Sequence, residues 1–344
     1  MSLKLSEFNY SLPKELIAQQ PLKERDKSRL LILNRRDKSL REANFKDIII
    51  FLREGDVLVL NDTKVIPARF FARRKTGAKL EVLLLKEKKE ALWEALIRPA
   101  RRLKIGEFIL LGEDKFQVQV LERTEKGTYL VRFPSLCVRE LLEKYGKIPL
   151  PLYIRKEIDP CRYQTIYAKK EGAVASPTAG LHFTKELLKE IALKGIEIVY
   201  VTLHCGLATF RPLKTENIEE HKMDTEFYEI KKEAAWVINK AKKEKRRIIA
   251  VGTTVVRTLE AASFINKEGV WGVIPKTEET DLYIYPGYKF KIINCLITNF
   301  HLPSSTNLIL ISAFAGIKFI RQAYKYAIER KFRFYSFGDA MLIL

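Results

Sequence analysis

The sequence predicts an α/β main domain with a small antiparallel β-barrel domain inserted into it. Three observations predict this. From about residue 150 onward, helical runs alternate with apolar strand-like runs, as they do where helices cover a largely parallel sheet. Between about Arg69 and Phe133 the texture changes to short β-rich runs parted by charged or glycine-containing turns, the pattern of a small barrel. That β-rich stretch has mixed α/β sequence on both sides. The economical division is an α/β domain of residues 1–65 and 150–344 with an insert of residues 66–149.

Taken in order, SLPKELIAQQP is expected to be a short helix, with Pro13 near its start and Pro21 ending it. RLLILN and GDVLVLND read as buried strands. The insert supplies KLEVLLL, LWEALIRP, FILLG, FQVQVLE and TYLVRF as strands. Its turns carry Arg73, Arg74, Lys75, Lys79, Lys88, Lys89, Arg101, Arg102 and Lys104, so the module is a basic one. SLCVRELLEKYG reads as a helix ending at Gly146. Beyond the turn KIPLPLY, the helices KELLKEIALKG, KKEAAWVINKAKKEKR and IKFIRQAYKYAIERK alternate with the strands IEIVYVTLH, RIIAVGTT and CLITNF. No internal repeat and no low-complexity tail is visible.

The 344 residues suffice for two domains and a sizeable core. Lys and Arg number 62 against 42 Asp and Glu, a net charge of +20, which points to a polyanionic partner: nucleic acid first, a membrane surface second. Adaptation to heat raises both signs of charge and does not by itself give that excess. Cys137, Cys161, Cys205 and Cys295 include no C-x-x-C pair, and no Cys/His spacing fits a zinc site. A reduced, cytoplasmic chain without a bound metal is therefore expected. MSLKLSEFNYSLP lacks the apolar stretch of a signal peptide. The longest apolar run, LILISAFAGI, is about half the roughly 20 residues a membrane span needs.

The histidines are the rarest source of chemistry: His182, His204, His221 and His301. Three of them sit in uncharged, small-residue surroundings, GAVASPTAGLHFT, VTLHCGLATF and LITNFHLPSST. His204 and His301 follow apolar strands, and ligands of α/β folds bind at the carboxyl ends of strands. One such histidine is ordinarily a core group bonded to backbone. Several together point to a shared pocket and to acid–base work near neutral pH. GTTVVRT places hydroxyls and a helix start after a strand, a seat for an anion or carboxylate, but it has neither a dinucleotide glycine motif nor a P-loop lysine. Ser176 fits no nucleophile elbow and is followed directly by Pro177. His221, Asp224 and Glu226 lie close in sequence, where a solvated loop is the commoner outcome than a metal site.

GDVLVLNDTKVIPARF, YQTIYA, AVASPTAGLHFT, VTLHCGLATFRP, HKMDTEFY, AVGTTVVRTLE, IYPGYKF, LITNFHLPSST, SAFAG and FYSFGDAMLI occur in this order and span nearly the whole chain. In these stretches the sequence closely resembles the S-adenosylmethionine:tRNA ribosyltransferase-isomerase family of queuosine biosynthesis. It departs from that pattern at Cys205, Ala208, Asp224, Val255 and Asn307, where Val, Gly, His, Ser and Leu are expected; no catalysis is assigned to Asp224.

The resemblance implies an α/β domain with an inserted β-barrel. It implies transfer and isomerisation of the ribosyl part of S-adenosylmethionine onto an aminomethyl-deazaguanine at the tRNA wobble position. The product is epoxyqueuosine-tRNA, with adenine and methionine released. A base removes a proton from the ribose 5′ carbon beside the sulfonium, and the resulting ylide expels adenine. The amine of the modified base then attacks the sugar, and an epoxide closes as methionine departs. S-adenosylmethionine is a co-substrate; no cofactor, metal, membrane or obligate protein partner is implied.

His182 and His301 are the candidate base and acid, in either order, with His204 a third. Gly180 and Thr178 are expected to form a close-packed wall against the co-substrate that His182 faces. Thr253, Thr254 and Asn299 join the substrate-binding set. Arg257 and Asp281 are candidates for the methionine carboxylate and the ribose hydroxyls, Arg69 and Arg211 for tRNA phosphate or the substrate base. Each of these four reads equally well as a member of a structural ion pair. Two rival activities stand beside this one. A methyltransferase acting on RNA would ordinarily show a glycine-rich first βα turn, which is missing. A non-catalytic RNA-binding protein gives no reason for the uncharged histidine stretches.

Overall fold

The computed structural model describes residues 3–112, 114–134, 138–206, 213 and 215–344. The chain forms two compact units: residues 1–64, 151–170 and 176–344, and residues 65–150 with 171–175.

The larger unit is built on a nine-stranded sheet. Its order is Lys276–Thr280, Glu226–Ile230, Glu197–Leu203, Val57–Asn61, Ile248–Val251, Cys295–Asn299, Ala340–Ile343, Arg29–Leu33, Leu40–Asn44. The four strands from Glu197–Leu203 to Cys295–Asn299 are mutually parallel; the outer strands add antiparallel pairings on both sides. These central strands are near-continuous apolar runs because both their faces are covered. Alternate residues such as Leu58, Leu60, Ile249, Val251 and Ile297 pack on one face with Leu187 and Ile191 of the helix Lys185–Leu193. Sequence order reverses between Val57–Asn61, which leads on to Glu197–Leu203, and Ile248–Val251, which leads on to Cys295–Asn299. That is a topological switch point, where the loops after the two strands part and leave a crevice.

One expectation needs adjusting. SLPKELIAQQP is no helix; only a 3₁₀ turn, Lys14–Leu16, forms. The Leu16 carbonyl accepts from the Phe334 amide and the Ala18 amide donates back to Phe334, so pairing with a distant segment takes the backbone groups a helix would use. LILISAFAGI is a helix, Thr306–Ala315, buried on nearly all sides. Among the described residues no helix is long and apolar enough to cross a membrane.

The smaller unit is a closed six-stranded antiparallel barrel. Its strands run around it as Tyr129–Arg132, Leu92–Arg98, Lys79–Lys89, Arg69–Arg74, Phe108–Leu111 and Phe116–Arg123. Period-2 alternation puts Phe70, Ala72, Leu80, Val82, Leu84, Ala95, Ile97, Val118 and Val120 inside. Leu141 and Leu142 of the helix Val138–Tyr145 join that core.

Candidate active site

Strand ends of the parallel sheet converge on one cleft. Thr298 and Asn299 come from the end of Cys295–Asn299, Gly252, Thr253 and Thr254 from the turn after Ile248–Val251, and Cys205 from just beyond Glu197–Leu203. Asn61, ending Val57–Asn61, binds these ends together. Its Nδ2 donates to the Leu203 carbonyl at 3.0 Å and to Thr254 Oγ1 at 3.1 Å, and its Oδ1 accepts from the Leu203 amide at 3.1 Å. Gly252 has φ 92° and ψ 153°, a backbone region that only glycine adopts without strain, and so turns the strand sharply into the helix Thr253–Ala261. The segment Ser176–Ala179 forms another wall, and His301, Asn307 and Tyr335 are among the remaining lining residues. No Asp, Glu, Lys or Arg lines the cleft among the described residues.

His301 is the histidine that lines this cleft. Its Nε2 shares a hydrogen bond with Thr298 Oγ1 at 2.8 Å, and its Nδ1 has no partner among the described residues. The main chain is anchored independently of the ring: the His301 amide donates to Tyr324 Oη at 2.8 Å, and the His301 carbonyl accepts from Tyr10 Oη at 2.5 Å. Burial pushes the imidazole down to about 3, so the ring is neutral near pH 7.

His182 is built differently. It is 5% exposed, stacked on Phe45 at 4.8 Å, and both ring nitrogens are used. Nδ1 meets Ser28 Oγ at 2.7 Å, and Nε2 meets Asn299 Nδ2 at 3.1 Å. Because Nε2 must accept from the amide, the ring proton sits on Nδ1 and is donated to Ser28, whose own hydroxyl is within 3.4 Å of the Arg25 carbonyl. Burial first, then Arg333 and Arg25, push this imidazole down to about 3. His182 lies behind Asn299 and does not line the cleft. Asn299 Nδ2 also faces the carbonyls of Tyr335 and Asp339, so reversing the amide would set its oxygen against two carbonyls. Asn299 Oδ1 therefore remains on the other side, buried and without a partner among the described residues.

His204 also stands away from the cleft. It stacks on Phe227 at 5.0 Å with Nδ1 at 2.8 Å from Thr63 Oγ1, and burial, then Lys170, push it down to about 4. Thr178, Thr253, Thr254 and Asn299 line the cleft; Gly180 does not. A Cβ on Gly180 would lie 2.1 Å from Tyr167 Oη, so packing against Tyr167 is what demands glycine there. Arg257 is buried in an ion pair with Glu226, and its remaining nitrogens reach the Leu282 and Thr280 carbonyls. Asp281 is exposed after the strand Lys276–Thr280. Arg69 pairs with Glu81 in the barrel. Arg211 and Ala208 lie outside the described residues. Of the departures, Cys205 and Asn307 line the cleft, and Val255 is fully buried in the helix.

Sequence reasoning missed Ser28 and Thr298 as partners of the histidines. Ser28 is 154 positions from His182, and nothing local marks it. Thr298 lies three residues before His301 in the stretch TNFH, so that spacing was open to reading. Among the described residues no cluster of three or more His, Cys, Asp and Glu side chains could hold a metal ion.

The family model described as "Queuosine biosynthesis protein" matches residues 5–343. A protein of Caldanaerobacter subterraneus subsp. tengcongensis named S-adenosylmethionine:tRNA ribosyltransferase-isomerase is 52% identical over 345 residues, covering 99% of this chain and all of the relative. One of the same name from Halothermothrix orenii is 51% identical with the same coverage. The crystal structure of S-adenosylmethionine tRNA ribosyltransferase from Thermotoga maritima shares 38% identity and a TM-score of 0.54, covering 98% of this chain and all of that one. On identity that high over its whole length, the chain belongs to the S-adenosylmethionine:tRNA ribosyltransferase-isomerase family of queuosine biosynthesis.

Proposed function

We propose that this chain transfers and isomerises the ribosyl group of S-adenosylmethionine onto an aminomethyl-deazaguanine at the wobble position of a tRNA anticodon, giving epoxyqueuosine-tRNA, adenine and methionine. The observation that carries the reading is the cleft itself: without a charged side chain among the described residues, at the carboxyl ends of the parallel strands, and lined by His301, whose Nδ1 has no partner among the described residues. The reaction needs a group that moves protons in a site that keeps water off reactive intermediates. His301 is that group. With its proton on Nε2, donated to Thr298, its Nδ1 can take the proton from the ribose 5′ carbon. The C5′ electron pair left by the first step becomes a C4′=C5′ double bond as the ring C4′–O4′ bond breaks; the O4′ pair becomes a C1′=O4′ double bond as the sugar–adenine bond breaks, and the imidazolium can return its proton to the departing adenine. His182, with both nitrogens engaged, positions the Asn299 amide and exchanges no proton with substrate.

Exposed Arg101, Arg102 and Lys104, which have no ion pair among the described residues, make the barrel a holder of tRNA phosphate. The target base must leave its stack to react.

The test is one incubation of the protein with labelled S-adenosylmethionine and tRNA carrying the aminomethyl-deazaguanine, followed by nucleoside analysis. Adenine and methionine released in step with epoxyqueuosine are expected. S-adenosylhomocysteine in their place would make it a methyltransferase, and tRNA binding without turnover a binding protein.

A further inference from the structure

The helix Thr253–Ala261 starts in the interior of the α/β unit. Thr253 is 7% exposed and Val255 fully buried, and no side chain caps the helix. Of the other long helices of this unit, Lys185–Leu193 and Thr306–Ala315 are capped by Thr184 and Ser305, while Lys232–Lys243 and Ile317–Glu329 start uncapped after the exposed Lys231 and Gly316. An uncapped first turn presents several N–H donors and partial positive charge to whatever faces it.

On the neighbouring strand, Asn299 lines the cleft with its Oδ1 buried and without a partner among the described residues, the amide held in that sense by His182 and two carbonyls at its Nδ2. Ser176 Oγ, on another wall of the cleft, is likewise buried without a partner among the described residues. These residues are 2% and 5% exposed. Strand register holds the features close. Val251 stands opposite Ile297, and the Gly252 amide donates to the Ile297 carbonyl at 2.7 Å, so the helix start and Asn299 lie on adjacent strands, about 4.8 Å apart. Donors in excess therefore sit beside acceptors in excess, in a cleft with no charged side chain among the described residues. The nearest buried cation of that helix, Arg257, is already taken by Glu226.

We propose that these two features together bind the α-amino-acid end of S-adenosylmethionine: its carboxylate on the N–H groups that open the helix Thr253–Ala261, its ammonium on Asn299 Oδ1 and Ser176 Oγ. Both charges sit on one carbon, which suits partners on neighbouring strands. Meeting a zwitterion with dipoles leaves no net charge in the cleft when methionine departs. The assignment rests on S-adenosylmethionine being the co-substrate.

Calorimetric titration of the wild-type protein and of Ser176→Ala tests it with three probes. S-adenosylhomocysteine and 5′-methylthioadenosine are both adenosyl thioethers and differ in the amino-acid end alone; S-adenosylmethionine is the reference. Wild type should bind the homocysteine compound at least about 100-fold more tightly than the methylthio compound, the scale of two or more hydrogen bonds to charged groups. Ser176→Ala should weaken the first about tenfold and the second less than twofold. The variant removes an unpartnered hydroxyl, so its melting temperature should not fall; if it does, the wild-type comparison still decides. Equal wild-type affinities for the two thioethers, with S-adenosylmethionine bound, overturn the amino-acid site alone. No binding of S-adenosylmethionine, with or without tRNA, overturns the ribosyl-donor reading and this site with it.

Discussion

In the barrel, Arg69 and Arg73 of one strand pair with Glu81 and Asp114, while the alternate positions Phe70 and Ala72 are apolar and packed inside. In the cleft of the α/β unit charge is absent among the described residues, and Asn299 Oδ1 and Ser176 Oγ are buried with nothing to bond. Folding explains the first arrangement, because alternation closes a barrel and exposed ion pairs cost and contribute little. It does not explain the second. An unsatisfied buried polar atom costs about 1–3 kcal/mol, and an uncapped helix start nearby costs more. On the amino-acid site proposed above, the co-substrate supplies these partners.

Four measurements put that difference at risk. The largest effect is expected at the cleft. His301→Ala should lower turnover by about two to four orders of magnitude, the range for a general acid–base group. Melting should stay near wild type, since Tyr10 and Tyr324 hold the main chain at this position. A large melting loss with modest kinetic loss would make His301 a packing residue and the cleft an ordinary piece of core.

Next comes His182. Acting through Asn299, it should affect the hold on co-substrate more than the chemical step. His182→Ala should raise the KM for S-adenosylmethionine about tenfold with kcat changed far less, the value of one hydrogen bond to a charged group. His182→Gln, which can still accept from the Asn299 amide, should recover much of that. A kcat loss as deep as that of His301→Ala, not recovered by glutamine, would return His182 to acid–base work.

On the barrel, replacing Arg101, Arg102 and Lys104 together with alanine should weaken tRNA binding about tenfold. It should also flatten the dependence of log K on log salt by up to about three units, at about 0.9 or less for each phosphate no longer neutralised. S-adenosylmethionine affinity should not move. Unchanged tRNA affinity and slope would leave these residues as a solvated face.

The smallest effect separates the units by acid sensitivity, because all four histidines belong to the α/β unit. Folded His182 titrates near 3, an unfolded histidine near 6.5. Between those values the unfolded chain carries the extra proton, so stability is fully present above about pH 6.5 and is lost as pH falls toward 3. At pH 5 the loss from His182 alone is about 2 kcal/mol. Melting followed from pH 7 to pH 5 should fall in wild type and fall less in His182→Gln. Equal slopes would mean that His182 is protonated in the folded protein.

What the sequence determined by itself is whatever rests on neighbours along the chain. Short β-rich runs between charged or glycine-containing turns, FQVQVLE and LWEALIRP among them, marked barrel strands, since such runs and turns are a matter of adjacent residues. The apolar runs VLVL, IIAV and CLIT marked buried parallel strands, and the small, uncharged stretches after them marked the cleft. Only the tertiary structure decided which of the histidines in similar stretches meets the cleft. His182 is claimed by Ser28 and Asn299, each more than a hundred positions away, and His204 by Thr63, whereas His301 bonds a residue of its own turn and keeps Nδ1 open. The same holds for Arg257, a fit carboxylate binder until Glu226 is folded against it, and for SLPKEL, whose helical spacing gives way to hydrogen bonds with Phe334. The reason is common to all of them: a polar group's role is set by which partner reaches it first, and those partners are brought by the sheet, not by the sequence around the group.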